Sequence, residues 1–256
     1  MSNNKNWKKP LPKEDLLSVI KAANTPEDLF RNADLLGGLY TEDDSLKEIV
    51  DEPEYDCSEY IYLPNRKILV AKETSLHGKN WYDAHEEAHK QKARMLNLRE
   101  FADFLLLLKS GKAEDELGNK ILKSELKEIY KKITEVRNIY RGEWLDAQFE
   151  DKNGTMYINY NHRTKSKKLE PLNSESLESC LMNDQTPGID LEDWLSRANK
   201  QGLPVISTKK GDLYYWHPRE NAVAGFCAGA DRANLDCVGD PSGCSGGLGV
   251  RLVREK

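Results

Sequence analysis

The chain of 256 residues has no stretch able to cross a bilayer as a helix; its run of leucines, Leu105 to Leu108, is far too short. Basic residues are not in excess. Lys and Arg number 38 against 43 Asp and Glu, and the formal net charge of −5 leaves no electrostatic footprint for nucleic acid. Cysteine is scarce and unpatterned: Cys57, Cys180, Cys227, Cys237 and Cys244 are odd in number and form no C-x-x-C pair. That excludes a disulfide framework or a structural zinc ribbon as the organising device and suits a reducing compartment, with at most one or two incidental bridges. The start, MSNNKNWKKPLPKED, is basic but lacks a following apolar run, so no secretory signal is expected.

What is present is a composition that can build a core. With 38% hydrophobic and 32% charged residues, the chain suits one large domain, or a domain with a smaller extension. Residues 12–36 have a helical texture, with Thr25 as N-cap and Pro26 at the first helical position. An acidic loop follows, from Glu42 to Tyr55. A strand is expected over Lys67–Ala71, then helices over about Asn80–Lys92 and Asn97–Lys109. Apolar residues at 117, 121, 122, 126, 129, 130, 133 and 136 keep helical spacing and predict a third helix from Ala113 to Val136. Two strand-like runs, 143–149 and 155–160, flank Asn153-Gly154, the dipeptide that favours a tight hairpin. The lysine-rich stretch 163–168 reads as a solvated loop. A helix near Asp190–Lys200 precedes short strands expected over Leu203–Ile206, Leu213–Trp216, Val223–Cys227 and Leu248–Val253. No internal repeat is present, and the order of elements predicts an α+β domain.

Two motifs suggest chemistry. His85-Glu86-Glu87-Ala88-His89 fits H-E-x-x-H, which on a helix sets two imidazoles on one face and needs a third protein ligand for zinc. The extended pattern wants glycine and histidine where Lys92 and Met95 stand, and no second motif marks another ligand. The expected reading is an amphipathic helix that buries Trp81, Ala84 and Ala88 and exposes its Glu, His and Lys residues, with no zinc bound. Gly243-Cys244-Ser245-Gly246-Gly247 fits G-x-S-x-G, the nucleophile elbow. That elbow needs a helix after it and a later histidine, whereas LGVRLVREK follows. Nor does a G-K-[ST] follow, so the stretch is not a phosphate loop. The spacings of Cys227, Cys237 and Cys244 fit no zinc pattern.

The C-terminal stretch Ala230-Asp231-Arg232-Ala233 … Pro241-Ser242-Gly243-Cys244-Ser245-Gly246-Gly247-Leu248-Gly249-Val250-Arg251 resembles the variable region of proteins diversified by retroelements, the family of the phage tropism determinant. In that family an R-A segment leads to a P-S pair, about five variable residues, and [IL]-G-x-R in the last strand. The match runs without gaps from Pro241 to Arg251. It is specific over about 40 residues and architectural over roughly 190, and it does not reach residues 1–60. The resemblance implies a C-type lectin-like domain over 61–256 with an inserted helix, a helical N-terminal extension over 1–60, and a variable region over about 214–247. It also implies a phage or archaeal viral setting, in the cytoplasm or on a virion. These elements mutate adenines, mostly in asparagine codons, which leaves Asn, Asp, Gly, Ser, Cys, Val or Tyr at varied positions.

On that reading the chain is a ligand-binding display protein without catalysis or cofactor, whose partner is a protein or cell-surface ligand. The varied face is expected to carry Trp216, Cys227, Gly229, Asp236, Val238, Gly239, Gly243, Cys244 and Gly246, exposed together on one side. Leu248, Val250 and Leu252 supply inward residues of the final strand, which should pair with Lys67–Ala71. Two alternatives stay open: an enzyme like the formylglycine-generating kind, although its R-G-G-S-W signature is absent, and a zinc-dependent H-E-x-x-H enzyme. The lectin calcium motifs E-P-N and W-N-D are also absent.

Overall fold

Helix starts are written locally in this chain. Asn80 accepts a hydrogen bond from the backbone of Asp83 and caps α1 (Trp81–Lys90). Asn97 and Glu100 form a reciprocal capping box at the head of α2 (Leu98–Ser110). The computed structural model describes residues 55–165 and 168–256, so the helix expected over 12–36 and the acidic loop before Tyr55 lie outside the described residues. Tyr55–Lys256 is one compact unit. The boundary expected at residue 60 falls inside it, since Tyr60 opens a paired strand.

The fold is α+β. In chain order, β1 (Tyr60–Leu63) and β2 (Ile68–Ala71) precede α1; β3 (Arg94–Met95) lies between α1 and α2; α3 is Lys123–Thr134. Then follow β4 (Arg141–Lys152), β5 (Thr155–Lys165), β6 (Lys168–Ser176), β7 (Gln185–Ile189), α4 (Leu191–Arg197), β8 (Leu213–Trp216), β9 (Val223–Ala228), β10 (Ala233–Gly239), β11 (Leu248–Gly249) and β12 (Leu252–Glu255). The strands make two sheets. One has the order β1-β2-β12-β3; the other runs β6-β5-β4-β9-β10-β8-β7, with β11 beside β4. The expected pairing between the ends of the domain is present: Val253 lies opposite Val70 and Glu255 opposite Ile68.

The β4–β5 hairpin forms where Asn153-Gly154 predicts it. Both turn residues have positive φ, 57° and 83°, as a two-residue hairpin turn of the mirror-image type requires. Packed beneath the large sheet, Phe101, Phe104, Leu105 and Leu108 of α2 join Leu145, Phe149, Trp194 and Phe226 in the main core. A second cluster gathers Trp81, Trp144, Val223, Leu248, Val250 and Leu252.

Several expectations are corrected. The helix expected over Ala113–Val136 begins only at Lys123. Before it, the Asp115 carboxylate accepts from the backbone N–H groups of Leu117 and Asn119, holding a turn, and Leu117 and Leu122 face solvent. Leu203–Ile206 is not a strand: the Asn199 side chain accepts from the Leu203 N–H, and Pro204 has no N–H to give to a ladder. The single strand expected over Leu248–Val253 is two, in different sheets, because buried Arg251 turns aside to pair with Glu143. The lysine-rich stretch is partly strand, since Arg163, Thr164 and Lys165 pair with β6.

Candidate functional site

Alternation along two strands builds the site. On β8, Leu213 and Tyr215 are buried while Tyr214 and Trp216 are half-exposed; on β10, Ala233, Leu235 and Cys237 are buried while Asn234, Asp236 and Val238 look outward. Parallel pairing sets Asn234 beside Tyr214 and Asp236 beside Trp216. Across the other edge of β10, Asn234 meets Cys227 and Asp236 meets Gly225. These in turn lie opposite Gly142 and Trp144 of β4. The result is two rows on one face: Tyr214, Asn234, Cys227, Gly142, and Trp216, Asp236, Gly225, Trp144. The Arg232 guanidinium lies 5.4 Å from the Tyr214 ring and 5.8 Å from that of Trp216, a cation–π arrangement that fixes the rim.

Beside this face runs the loop 240–247. Asp240 accepts from the backbone and hydroxyl of Ser242. The Trp81 N–H donates to the Pro241 carbonyl at 3.0 Å, and the Gly142 N–H to that of Gly247 at 2.8 Å, so the loop is tied at both ends. Between those ties Cys244 and Gly246 are exposed and Gly243 is partly so. The loop leads into β11 and not into a helix, so Gly243–Gly247 does not form a nucleophile elbow.

The expected residues divide. Trp216, Asp236, Val238, Gly243, Cys244 and Gly246 lie on the face or its loop with part or all of their surface open. Two do not. Cys227 is 8% exposed, covered by Leu248 and by Tyr140, whose hydroxyl donates to its sulfur at 3.1 Å. Burial pushes its thiol up to about 11. A Cβ on Gly142 would lie 2.7 Å from that sulfur, so Cys227 fills the gap over a glycine floor. Gly229 is also buried, its N–H donating to the Arg232 carbonyl. Gly239 is half-exposed but crowded: an added Cβ would meet the Val223 carbonyl at 2.9 Å, so it is not freely variable. The residues missed are Asn234 and Tyr214, which two-residue periodicity from Asp236 and Trp216 would have found, and Tyr140, which no local signal marks. Among the face carboxylates, burial raises the Asp236 acid above the ordinary range, although its side chain accepts from the Val238 N–H.

The H-E-x-x-H helix is also corrected. Trp81, Ala84 and Ala88 are buried as expected, but so is His85, at 0% exposure. Its ring packs edge-on against Trp81 and faces Asp146 of β4 and His162 of β5. Asp146 accepts from the His162 backbone at 2.9 Å and contacts its Nδ1 at 2.5 Å, with His85 Nε2 at 3.6 Å. Burial holds the His85 ring near a pKa of 3, and so neutral. His89 does not join; it contacts the Thr164 hydroxyl and the His162 carbonyl instead. Glu86 is exposed and paired with Lys90 at 3.1 Å, and no group of possible ligands among the described residues contains both His85 and His89. No helix among the described residues is long and apolar enough to cross a membrane. The chain matches no family model, no curated protein and no solved structure.

Proposed function

We propose that this chain is a ligand-binding protein with a C-type lectin-like domain, and that its face of β8 and β10 with loop 240–247 recognises a protein or cell-surface ligand. The residues varied by a retroelement would be those on that face. One observation carries the reading. Outward residues of β8 and β10 sit in register beside one another, while their inward neighbours alone fill the core. Side chains on the face can therefore change while close packing beneath is kept. Trp216, half-exposed and held by Arg232, supplies an aromatic anchor of the kind that dominates binding energy. The pairing of β2 with β12 supports the lectin-like architecture, whose ends lie together.

The test has a genetic and a physical arm. The DNA beside the gene should hold a near-copy of the stretch encoding about residues 214–247, next to a reverse transcriptase. A library varied at Asn234, Asp236, Val238, Gly243, Cys244 and Gly246 should yield folded proteins whose stability stays within about 0.5 kcal/mol per exposed site. Loss of folding in most library members would sink the proposal.

A further inference from the structure

We propose that His85, Asp146 and His162 bind one divalent transition-metal ion, zinc by preference, which staples α1 to the β4–β5 hairpin. Among the described residues, each of the three offers a donor atom, and the three atoms lie within 4.8 Å of one another. All three side chains are buried. Two imidazoles and a carboxylate are the donor set that suits zinc and its neighbours.

Hydrogen bonding within the protein does not account for this cluster. Both ring nitrogens of His85 and Nε2 of His162 are buried without a protein partner. Leaving a buried polar atom unpaired costs about 1–3 kcal/mol, and native structures hold few such atoms. A single proton shared between Asp146 and His162 would balance the carboxylate, yet would leave His85 with nothing to bond. A dication answers both demands, because it accepts a lone pair from one nitrogen of each imidazole, two of the three unpartnered ring nitrogens, and offsets the charge of Asp146. The separation of His85 Nε2 from Asp146 Oδ1, 3.6 Å, is near the roughly 3.4 Å between neighbouring ligands of a tetrahedral ion with bonds of about 2.1 Å. Asp146 Oδ2 also accepts from the His162 backbone N–H, which fixes that residue beside the cluster; on binding, the ion would take the Oδ1 that His162 Nδ1 contacts at 2.5 Å.

Aromatic packing closes the cluster in. Trp81 lies edge-on to both rings, at 4.2 Å from His85 and 4.9 Å from His162 between centroids, and seals the cluster within the fold. With three protein ligands, a fourth position is left for water. The inference does not rest on the ligand-binding reading, since none of these residues lies on the proposed face.

The full chain, freed of any affinity tag and reconstituted with zinc, should hold about one zinc per molecule by elemental analysis. Cobalt(II) should give the visible spectrum of a four-coordinate ion, and X-ray absorption of the zinc form should show two imidazoles. His85→Gln and Asp146→Asn should each weaken binding at least about tenfold, whereas His89→Gln should not. A wild-type protein that folds yet takes up neither zinc nor cobalt overturns the proposal. So does His85→Gln with wild-type affinity, or an equal loss in His89→Gln. Should the substituted proteins fail to fold, the wild-type cobalt and absorption spectra decide alone: two imidazoles support the site, and any other ligand set overturns it.

Discussion

The thiol of Cys227 lies beneath Tyr140 and Leu248, whereas that of Cys244 stands in solvent on loop 240–247. With its acidity suppressed to about 11, Cys227 presents only about a thousandth of its sulfur as thiolate at pH 8. A brief maleimide pulse on the native protein, followed by peptide mapping, should label Cys244 at least about a hundredfold faster than Cys227, Cys180 or Cys237. Comparable rates at Cys227 would show that β9 is not covered. Asp236 behaves in the opposite sense to a paired carboxylate. Because burial raises its native pKa, the folded state binds more protons than the unfolded state above the unfolded value of about 3.9. Stability attributable to this group therefore falls as pH rises through that window and stays reduced at neutrality. Asp236→Asn should flatten this slope and raise the urea midpoint at pH 7 relative to the wild type. The resemblance, not strand periodicity, put Trp216 and Asp236 on the face; the strand over Ala233–Gly239 that turns Asp236 outward was not expected, although its two-residue period is local. Depth was not legible in the sequence. Cys227 is covered by residues from β4's leading turn and from β11, and His85 finds its partners on two distant strands, so no window around either could reveal their burial.

Elements with their own punctuation were readable. The caps at Asn80, Asn97 and Asp190, and the Asn153-Gly154 turn, each place a helix or hairpin by local hydrogen bonding or φ alone. Replacing Gly154 by alanine should therefore cost about 1–2 kcal/mol in chemical unfolding, because its φ of 83° is disfavoured for any residue with a Cβ. A change below about 0.3 kcal/mol would mean that the hairpin register does not depend on the turn. Elements defined by partners were not readable. β6 reads KLEPLNSES, with little apolar alternation and a proline; it is a strand because β5 offers its edge. The segment 113–122 kept helical spacing, yet Asp115 and the exposure of Leu117 and Leu122 make it a turn. Spacing alone records where apolar residues fall, and only packing decides whether they are used.

At the scale of the whole molecule, β12 occupies an interior place in its sheet, between β2 and β3, although it comes after every other strand in sequence. Val253 is fully buried there and Arg251 anchors the approach through Glu143 and the carbonyls of Ala71 and Lys72. During synthesis the edge of β2 therefore waits, unpaired, until β8 to β11 have already been made. A reading frame shifted anywhere between residues 214 and 247 would replace Leu252–Glu255 with unrelated sequence, and the sheet would have no centre to close upon. Such chains would remain open and fall to proteolysis, while in-frame changes on the face would pass. The position of one four-residue strand thus makes folding a proofreader of the text that precedes it.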